Sequence, residues 1–428
     1  MIRRDRYLKE LVDLMWNGQV KVITGIRRCG KSYLLDKIFR GYLHENGVSD
    51  EEIISIDLDQ ARFANERNPL KLAEYVRARR EAASGKRYLF IDEIQRCESV
   101  DNPALPNGAK ITFYDVLNEF RTLDDLDVYV TGSNSKMLST DILTEFRGRG
   151  DEIRVHPLSF AEYFSAVGGD ERDVLEDYLV FGGMPHAVGL KSEVAKMKYL
   201  KGLFSEVYLK DIVERKRIER VEVLDATLDL LSSAIGSLTN PNNIANVLTT
   251  KLGLTTNTNT VRTYVEYLKD AFLFSEAKRY DVRGKSYFDY PNKYYCEDVG
   301  LRNARTGFRE IDRPHLMENV IYTELARRGY AVDVGVVCEW TKNTKGNSVR
   351  TTREIDFVVN KSSERVYVQS AYRMEDEEKS KQELRPFFLT GDAFRRIVVR
   401  QDIRRRSYDQ SGVLHVPLLD FLTDEDCV

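Results

Sequence analysis

Gly25-Ile26-Arg27-Arg28-Cys29-Gly30-Lys31-Ser32 is the stretch on which the reading of this chain turns. It has the spacing G-x-x-x-x-G-K-[ST], that of a loop whose backbone N–H groups wrap a polyphosphate. Its flanks suit that role. Val20-Lys21-Val22-Ile23-Thr24 is a β-branched run that reads as a buried strand. From Lys31 to Arg40, the residues Leu34, Leu35, Ile38 and Phe39 make an apolar stripe at helical spacing. Strand, loop and helix in that order put the phosphates at a helix N-terminus, where unpaired N–H groups and the helix dipole favour an anion. Gly25 and Gly30 shape the loop, Lys31 reaches the β- and γ-phosphates, and Ser32 is the expected ligand to Mg²⁺. Arg27 and Arg28 read as solvated, with further phosphate ligands as the alternative.

The composition bounds the rest. At 428 residues the chain exceeds one ordinary core, and two or three domains are expected. Hydrophobic residues at 42% and charged residues at 31% describe a globular chain that stays in water. A net charge of -3 excludes a global nucleic-acid signature but leaves a local basic face open. The five cysteines show no C-x-x-C spacing and read as reduced thiols. No apolar run approaches the ~18 residues of a membrane span, and the N-terminus carries no signal-peptide pattern. A cytoplasmic protein with no membrane partner is the expectation.

Beyond the loop, strands and helices alternate. Glu52 to Leu58 reads as a strand, Leu70 to Ala83 as a helix opened by Pro69, and Arg87-Tyr88-Leu89-Phe90-Ile91 as a third strand. A helix over 112–122 and a strand over 127–131 follow. This order predicts an α/β fold with a mostly parallel sheet. The third strand ends in Asp92-Glu93. One strand–helix crossover after a phosphate loop, Asp92 is placed to hold a metal ion and Glu93 to polarise or deprotonate water. Taken alone, two acids at a strand end are a solvated turn. Val130-Thr131-Gly132-Ser133-Asn134 puts small polar residues at the end of a neighbouring strand, where open α/β sheets bind ligands.

This set resembles the AAA-type branch of P-loop ATPases. More narrowly, it is similar to a prokaryotic family that joins such an ATPase to a C-terminal domain of unknown function. The loop 25–32, the acids Asp92-Glu93, Thr131-Gly132-Ser133-Asn134 and Pro157-Leu158-Ser159-Phe160-Ala161-Glu162-Tyr163 carry the likeness. So do Tyr178-Leu179-Val180-Phe181-Gly182-Gly183-Met184-Pro185 and Lys293-Tyr294-Tyr295-Cys296-Glu297-Asp298-Val299-Gly300-Leu301-Arg302-Asn303. The resemblance implies ATP and Mg²⁺ as cofactors and hydrolysis of ATP to ADP and phosphate. It makes Asn134 the first sensor residue and Arg147 or Arg149 the candidate arginine finger, acting within one chain or between chains of a homo-oligomer. A solvated charged loop is the other reading of those arginines.

The C-terminal half is read as two further domains. Residues 1–165 form the AAA-type ATPase domain, 166–305 a helical and winged-helix domain, and 306–428 a restriction-endonuclease-like domain without activity. Helices over 243–252 and 260–270, a strand at 271–275, a turn at 281–285 and a strand at 286–288 make a winged-helix layout. It offers Arg262, Lys269, Lys278, Arg279, Arg283 and Lys285 to DNA phosphates; a protein-contact module is the alternative. In 306–428, Asp356 and Glu318 match two acids of the nuclease-like layout. Gln369-Ser370-Ala371 stands where Glu-x-Lys is expected, so the metal site lacks a carboxylate and the group that activates water. Function therefore reads as ATP hydrolysis that moves a C-terminal recognition module. The alternatives are a nucleotide-regulated DNA-binding or DNA-processing protein and an ATP-dependent protein-partner switch.

Overall fold

Five strands organise the N-terminal unit: β1 (Val20–Thr24), β2 (Ile53–Asp57), β3 (Arg87–Asp92), β4 (Leu126–Thr131) and β5 (Gly150–Arg154). In the computed structural model they lie in the order β2-β3-β4-β1-β5. Every pairing is parallel, so all five C-terminal ends share one edge. The model describes residues 2–82, 85–104, 108–132, 150–309, 311–342, 347–374 and 377–428. Asn134, Arg147 and Arg149, the expected sensor and finger residues, lie outside them.

The central strands β1 and β4 are buried throughout, as strands covered on both faces of a parallel sheet are. Their one charged pair is internal: the Lys21 ammonium meets the Asp127 carboxylate. Asp127 also accepts from Tyr129 Oη at 2.7 Å and the Trp16 N–H at 3.0 Å, so neither charge is left unsolvated. The helix Pro69–Glu81 starts where Asn68 accepts from the Leu70 N–H at 2.9 Å. The helix Phe113–Arg121 starts at a Thr112/Asp115 capping box. Leu72, Val76, Val116 and Phe120 from these helices join Leu89, Ile91, Val128 and Val130 in the core, each side chain contributing roughly 1.5–3 kcal/mol by burial. β5 is a strand the sequence reading does not place. Its residues Gly-Asp-Glu-Ile-Arg carry no apolar run, and its pairing with β1 supplies what periodicity lacks.

The chain divides into two compact units, 1–157 with 270–272, and 158–269 with 273–428. Residues 166–305, apart from 270–272, and residues 306–428, read as separate domains, thus share one unit. Its helical part includes Glu171–Phe181, Val221–Ser233, Pro241–Leu252 and Thr258–Asp270. The charged run 211–222 does not form one continuous helix: it is broken at Arg217, whose φ is 50°. The next elements are β6 (Phe274–Ala277), β7 (Arg279–Asp281), β8 (Ser286–Tyr287) and β9 (Lys293–Cys296).

Here the pairing differs from the expected wing of 271–275 with 286–288. Phe272 takes a φ of 57°, so the strand starts only at Phe274, and β6 pairs antiparallel with β9. The expected turn at 281–285 instead joins β7 to β8, with Asp281 Oδ1 accepting from the N–H groups of Arg283 and Gly284. β8 at the edge and β7 beside it begin an eight-stranded mixed sheet that continues through β10 (Ala331–Lys342), β11 (Ser348–Lys361), β12 (Glu364–Ala371) and β13 (Arg395–Arg400). β11 and β12 form an antiparallel hairpin, and the helix Arg313–Arg327 precedes β10.

Two of the family motifs pack on each other inside this unit. Asp298 caps the helix Val299–Arg305, accepts from the Gly183 N–H at 2.6 Å and is buried. A Cβ on Gly183 would come within 2.1 Å of Leu158 O, and one on Gly300 within 2.0 Å of Phe181 O. Asn303 Nδ2 donates to the carbonyls of Leu179 and Val180, both at 2.9 Å. The glycines are there because backbone meets backbone.

Candidate functional site

Gly25 opens the phosphate loop with a φ of 136°, and a Cβ there would stand 2.1 Å from Val155 O, the residue that follows β5. Gly30 closes the loop with a φ of 104° and directly precedes the helix. Both glycines are therefore required by conformation, the first also by space. The loop is gripped from outside. Arg4 donates to Cys29 O at 3.3 Å and to His156 O at 2.7 Å, and Cys29 Sγ contacts Val155 O at 3.2 Å. Lys31 is buried, its Nζ donating to Gly25 O at 3.0 Å and Ile26 O at 3.1 Å. The helix that follows is α-helical over Lys31–Tyr33 and Arg40–Glu45. Between them Leu34–Phe39 is wound as a π-helix, a form that collects at functional sites. Arg28 is exposed, as expected, with a φ of 63°. Arg27 is half-buried and close enough to Glu93 to act on its charge.

β4 lies between β1 and β3, so the loop after β1 and the acids after β3 face each other across the end of β4. Thr131 occupies that end. Its hydroxyl donates to Asp92 Oδ1 and accepts the Glu93 N–H at 3.1 Å. Ser32 hydrogen-bonds the same Asp92 carboxyl, which joins the loop helix to β3. Glu93 has a φ of 53°, a left-handed conformation rare for this residue type, and Gln95 donates to its carboxyl. Burial pushes the Asp92 carboxyl above the ordinary value, against the hydrogen bonds from Thr131 and Ser32. Burial also raises Glu93, opposed by the charge of Lys31. A helix N-terminus preceded by a glycine-lined loop, with hydroxyl and carboxylate oxygens beside it, fits a polyphosphate and a hard cation. The sequence reading finds Lys31, Ser32, Asp92 and Glu93, which the fold brings to one edge. It places Thr131 in the polar end of the neighbouring strand but gives it no role; that its hydroxyl ties Asp92 to Glu93 follows only from the pairing of the strands.

A second polar cluster lies in the C-terminal unit. Glu318 and Asp356, the two acids picked out from the sequence, do come together, and with them Glu354, two residues from Asp356 on β11. The group at their centre is Lys293 of β9, the first residue of the motif 293–303, to which the sequence reading gives no role. Burial works against this ammonium, but the three carboxylates, Asp356 foremost, outweigh it and hold its pKa above the ordinary lysine value. Asp356 is raised by burial and by Glu318, with Lys293 offsetting part. Gln369 turns to the backbone instead. Its Oε1 accepts the Asp356 N–H at 3.2 Å, and its Nε2 donates to Glu383 Oε2 at 3.3 Å.

Comparison with known proteins agrees with the fold of the N-terminal unit. Residues 17–164 match a family model described as an AAA domain, and residues 172–312 one described as a domain of unknown function, DUF8612. An uncharacterized protein of Haemophilus influenzae is 33% identical over 379 residues, 87% of this chain and 88% of that one. A second, from Methanocaldococcus jannaschii, is 25% identical over 358 residues, 80% of this chain and 72% of the relative. Among solved structures, a Walker-type ATPase of Pyrococcus abyssi is similar with a TM-score of 0.50 at 17% identity, over 72% of this chain and 96% of that one. At that identity the likeness is one of fold. The N-terminal unit is therefore an AAA-type P-loop domain. The chain belongs to the family of the Haemophilus influenzae protein.

Proposed function

We propose that this chain is an ATPase whose hydrolysis cycle drives its C-terminal unit, with Mg²⁺ as the companion ion. The observation that carries the reading is the convergence of Lys31, Ser32, Asp92 and Glu93 at the C-terminal edge of one parallel sheet. In it, the loop N–H groups and Lys31 bind the phosphates, and Lys31 leaves the carbonyls of Gly25 and Ile26 to do so. Ser32 and Asp92 would hold the ion, which supplies charge neutralisation at the transferred phosphoryl group. Thr131 keeps Asp92 in position. Glu93 orients the attacking water and takes its proton; a carboxyl raised by burial is the better base for that step. The other roles proposed are Asn134 as sensor and Arg147 or Arg149 as finger.

Phosphate release from the purified protein tests this. Lys31→Ala is expected to lose nucleotide binding. Glu93→Gln is expected to keep nucleotide binding but lower turnover by about 10²-fold or more. Turnover at the wild-type rate in Glu93→Gln would remove the proposed base, and release in Lys31→Ala would remove the site.

A second reading, DNA contact by the winged-helix-like segment, is favoured by one observation. Arg262, Lys278, Arg283 and Lys285 are exposed there. Lys269, expected with them, is instead engaged by Glu266 at 2.9 Å and Glu276 at 2.7 Å, and Arg279 lies half-buried over the Phe288 ring. Binding to duplex DNA that weakens with salt and drops in Arg283→Ala/Lys285→Ala is the expected outcome; salt-independent binding, or none, refutes it.

A further inference from the structure

Lys293 holds its ammonium where lysine is rarely found, in the interior. Its side chain is 5% exposed, and Nζ stands 2.7 Å from Glu354 Oε1, 2.9 Å from Glu318 Oε1 and 3.6 Å from Asp356 Oδ1. Glu354 and Asp356 are alternate residues of β11, and Glu318 comes from the helix Arg313–Arg327, so the three carboxylates reach one atom from two elements. Carboxylate oxygens converging on a point are what a hard divalent cation takes, at about 2.0–2.6 Å. Here the nearer oxygens stand at the distance of an N–H donor. Among the described residues no three His, Cys, Asp or Glu side chains are placed to share a metal ion. We propose that this cluster is a cation site the chain fills with its own ammonium. Lys293 takes the position a divalent ion would hold, so the wild-type unit binds no metal there and carries out no metal-dependent cleavage of phosphodiesters.

The seat is built to keep Lys293 in place. Asn319 spans β9, its Oδ1 accepting the Cys296 N–H and its Nδ2 donating to Cys296 O, both at 2.8 Å. Tyr295 stacks on Tyr322 with ring centroids 4.2 Å apart. These contacts fix β9 against the helix, and its alternate residues 293 and 295 both meet Glu318, Tyr295 Oη donating at 2.7 Å. Asp356 Oδ2 accepts the Ser370 N–H at 2.9 Å. One ammonium facing three carboxyl groups offsets less charge than a divalent ion would. Removing it leaves an acidic cage that a divalent ion can close on. The neighbouring strand adds no ligand, because Gln369 is bound elsewhere and Ala371 has no polar group.

Manganese binding by the full, nucleotide-free chain, followed by titration calorimetry and thermal melting, tests the assignment. Wild type and Lys293→Arg are expected to show no Mn²⁺ binding that depends on Asp356. Lys293→Ala is expected to take up one Mn²⁺ per chain with a Kd on the order of 10⁻⁴ M or tighter, and to lose it in Lys293→Ala/Asp356→Asn. If Lys293→Ala is unfolded without metal, recovery of a cooperative melt on adding Mn²⁺ is the same result, and Lys293→Met provides a second cavity to titrate. Folded Lys293→Ala or Lys293→Met that ignores Mn²⁺ overturns the proposal, as does failure of both to fold at any Mn²⁺ concentration. Wild-type Mn²⁺ binding or DNA cleavage that requires Asp356 overturns it from the other side, and would make Lys293 part of a working nuclease.

Discussion

Thr131 is the residue on which the geometry of the two acids depends. Its one hydroxyl serves both neighbours, as donor to Asp92 and acceptor for the Glu93 N–H. Valine keeps the shape and removes both bonds, leaving the half-buried Glu93 N–H unpaired at a cost of about 1 kcal/mol. Thr131→Val is expected to lower kcat by roughly 10-fold or more, since misplacing catalytic groups is costly, with little change in KM. Thr131→Ser should recover most of the rate. A fall in stability with kcat unchanged would reduce Thr131 to a structural role. The residue order marks Thr131 only as part of a polar strand end and does not show which groups its hydroxyl joins. The loop glycines are the opposite case. Gly25 and Gly30 are legible from spacing alone, because the backbone of consecutive residues does the binding.

At the scale of elements, the strands that alternate with helices were readable, since each carries its own period or its own cap. β5 was not, and neither was the pairing of β6 with β9. A short polar strand acquires its state from the neighbour it pairs with. The joint between the turn at Gly182-Gly183 and the helix Val299–Arg305 shows what such neighbours cost. Burial raises Asp298 to about 6 from an ordinary 3.8, against the N–H groups of Gly183, Leu301 and Gly300 that favour its charged form. The folded state then holds a proton that the unfolded chain has released, throughout the interval between those two values. Stability from this group is present below pH 3.8 and is lost as pH rises to about 6, by about 3 kcal/mol. Denaturant titrations of wild type and Asp298→Asn between pH 4 and 7 check this. The variant should lack that part of the slope, and parallel curves would show that Asp298 does not titrate in the window.

For the whole molecule, the proposed function requires the two units to exchange free energy. If DNA is what the C-terminal unit recognises, linkage fixes the form of the coupling: ATP must change DNA affinity by the same factor by which DNA changes ATP affinity. Glu93→Gln, expected to bind ATP without turning it over, allows both affinities to be measured at equilibrium. Equal factors different from one support the coupling. Factors of one assign the exposed Arg283 and Lys285 no part in the cycle.

The AAA-type unit could be read from the residue order because its site is local. A strand, a loop of eight residues and a helix bind phosphate with their own backbone, and the two acids sit at a strand end whose place in a parallel sheet follows from the alternation of elements. The C-terminal unit could not be read in the same way. Glu318 and Asp356 were legible as acids, yet the cation between them belongs to Lys293, 25 residues before Glu318 and on a strand whose pairing no period announces. Which charges meet in an interior is decided by register and packing, and only the folded chain sets those.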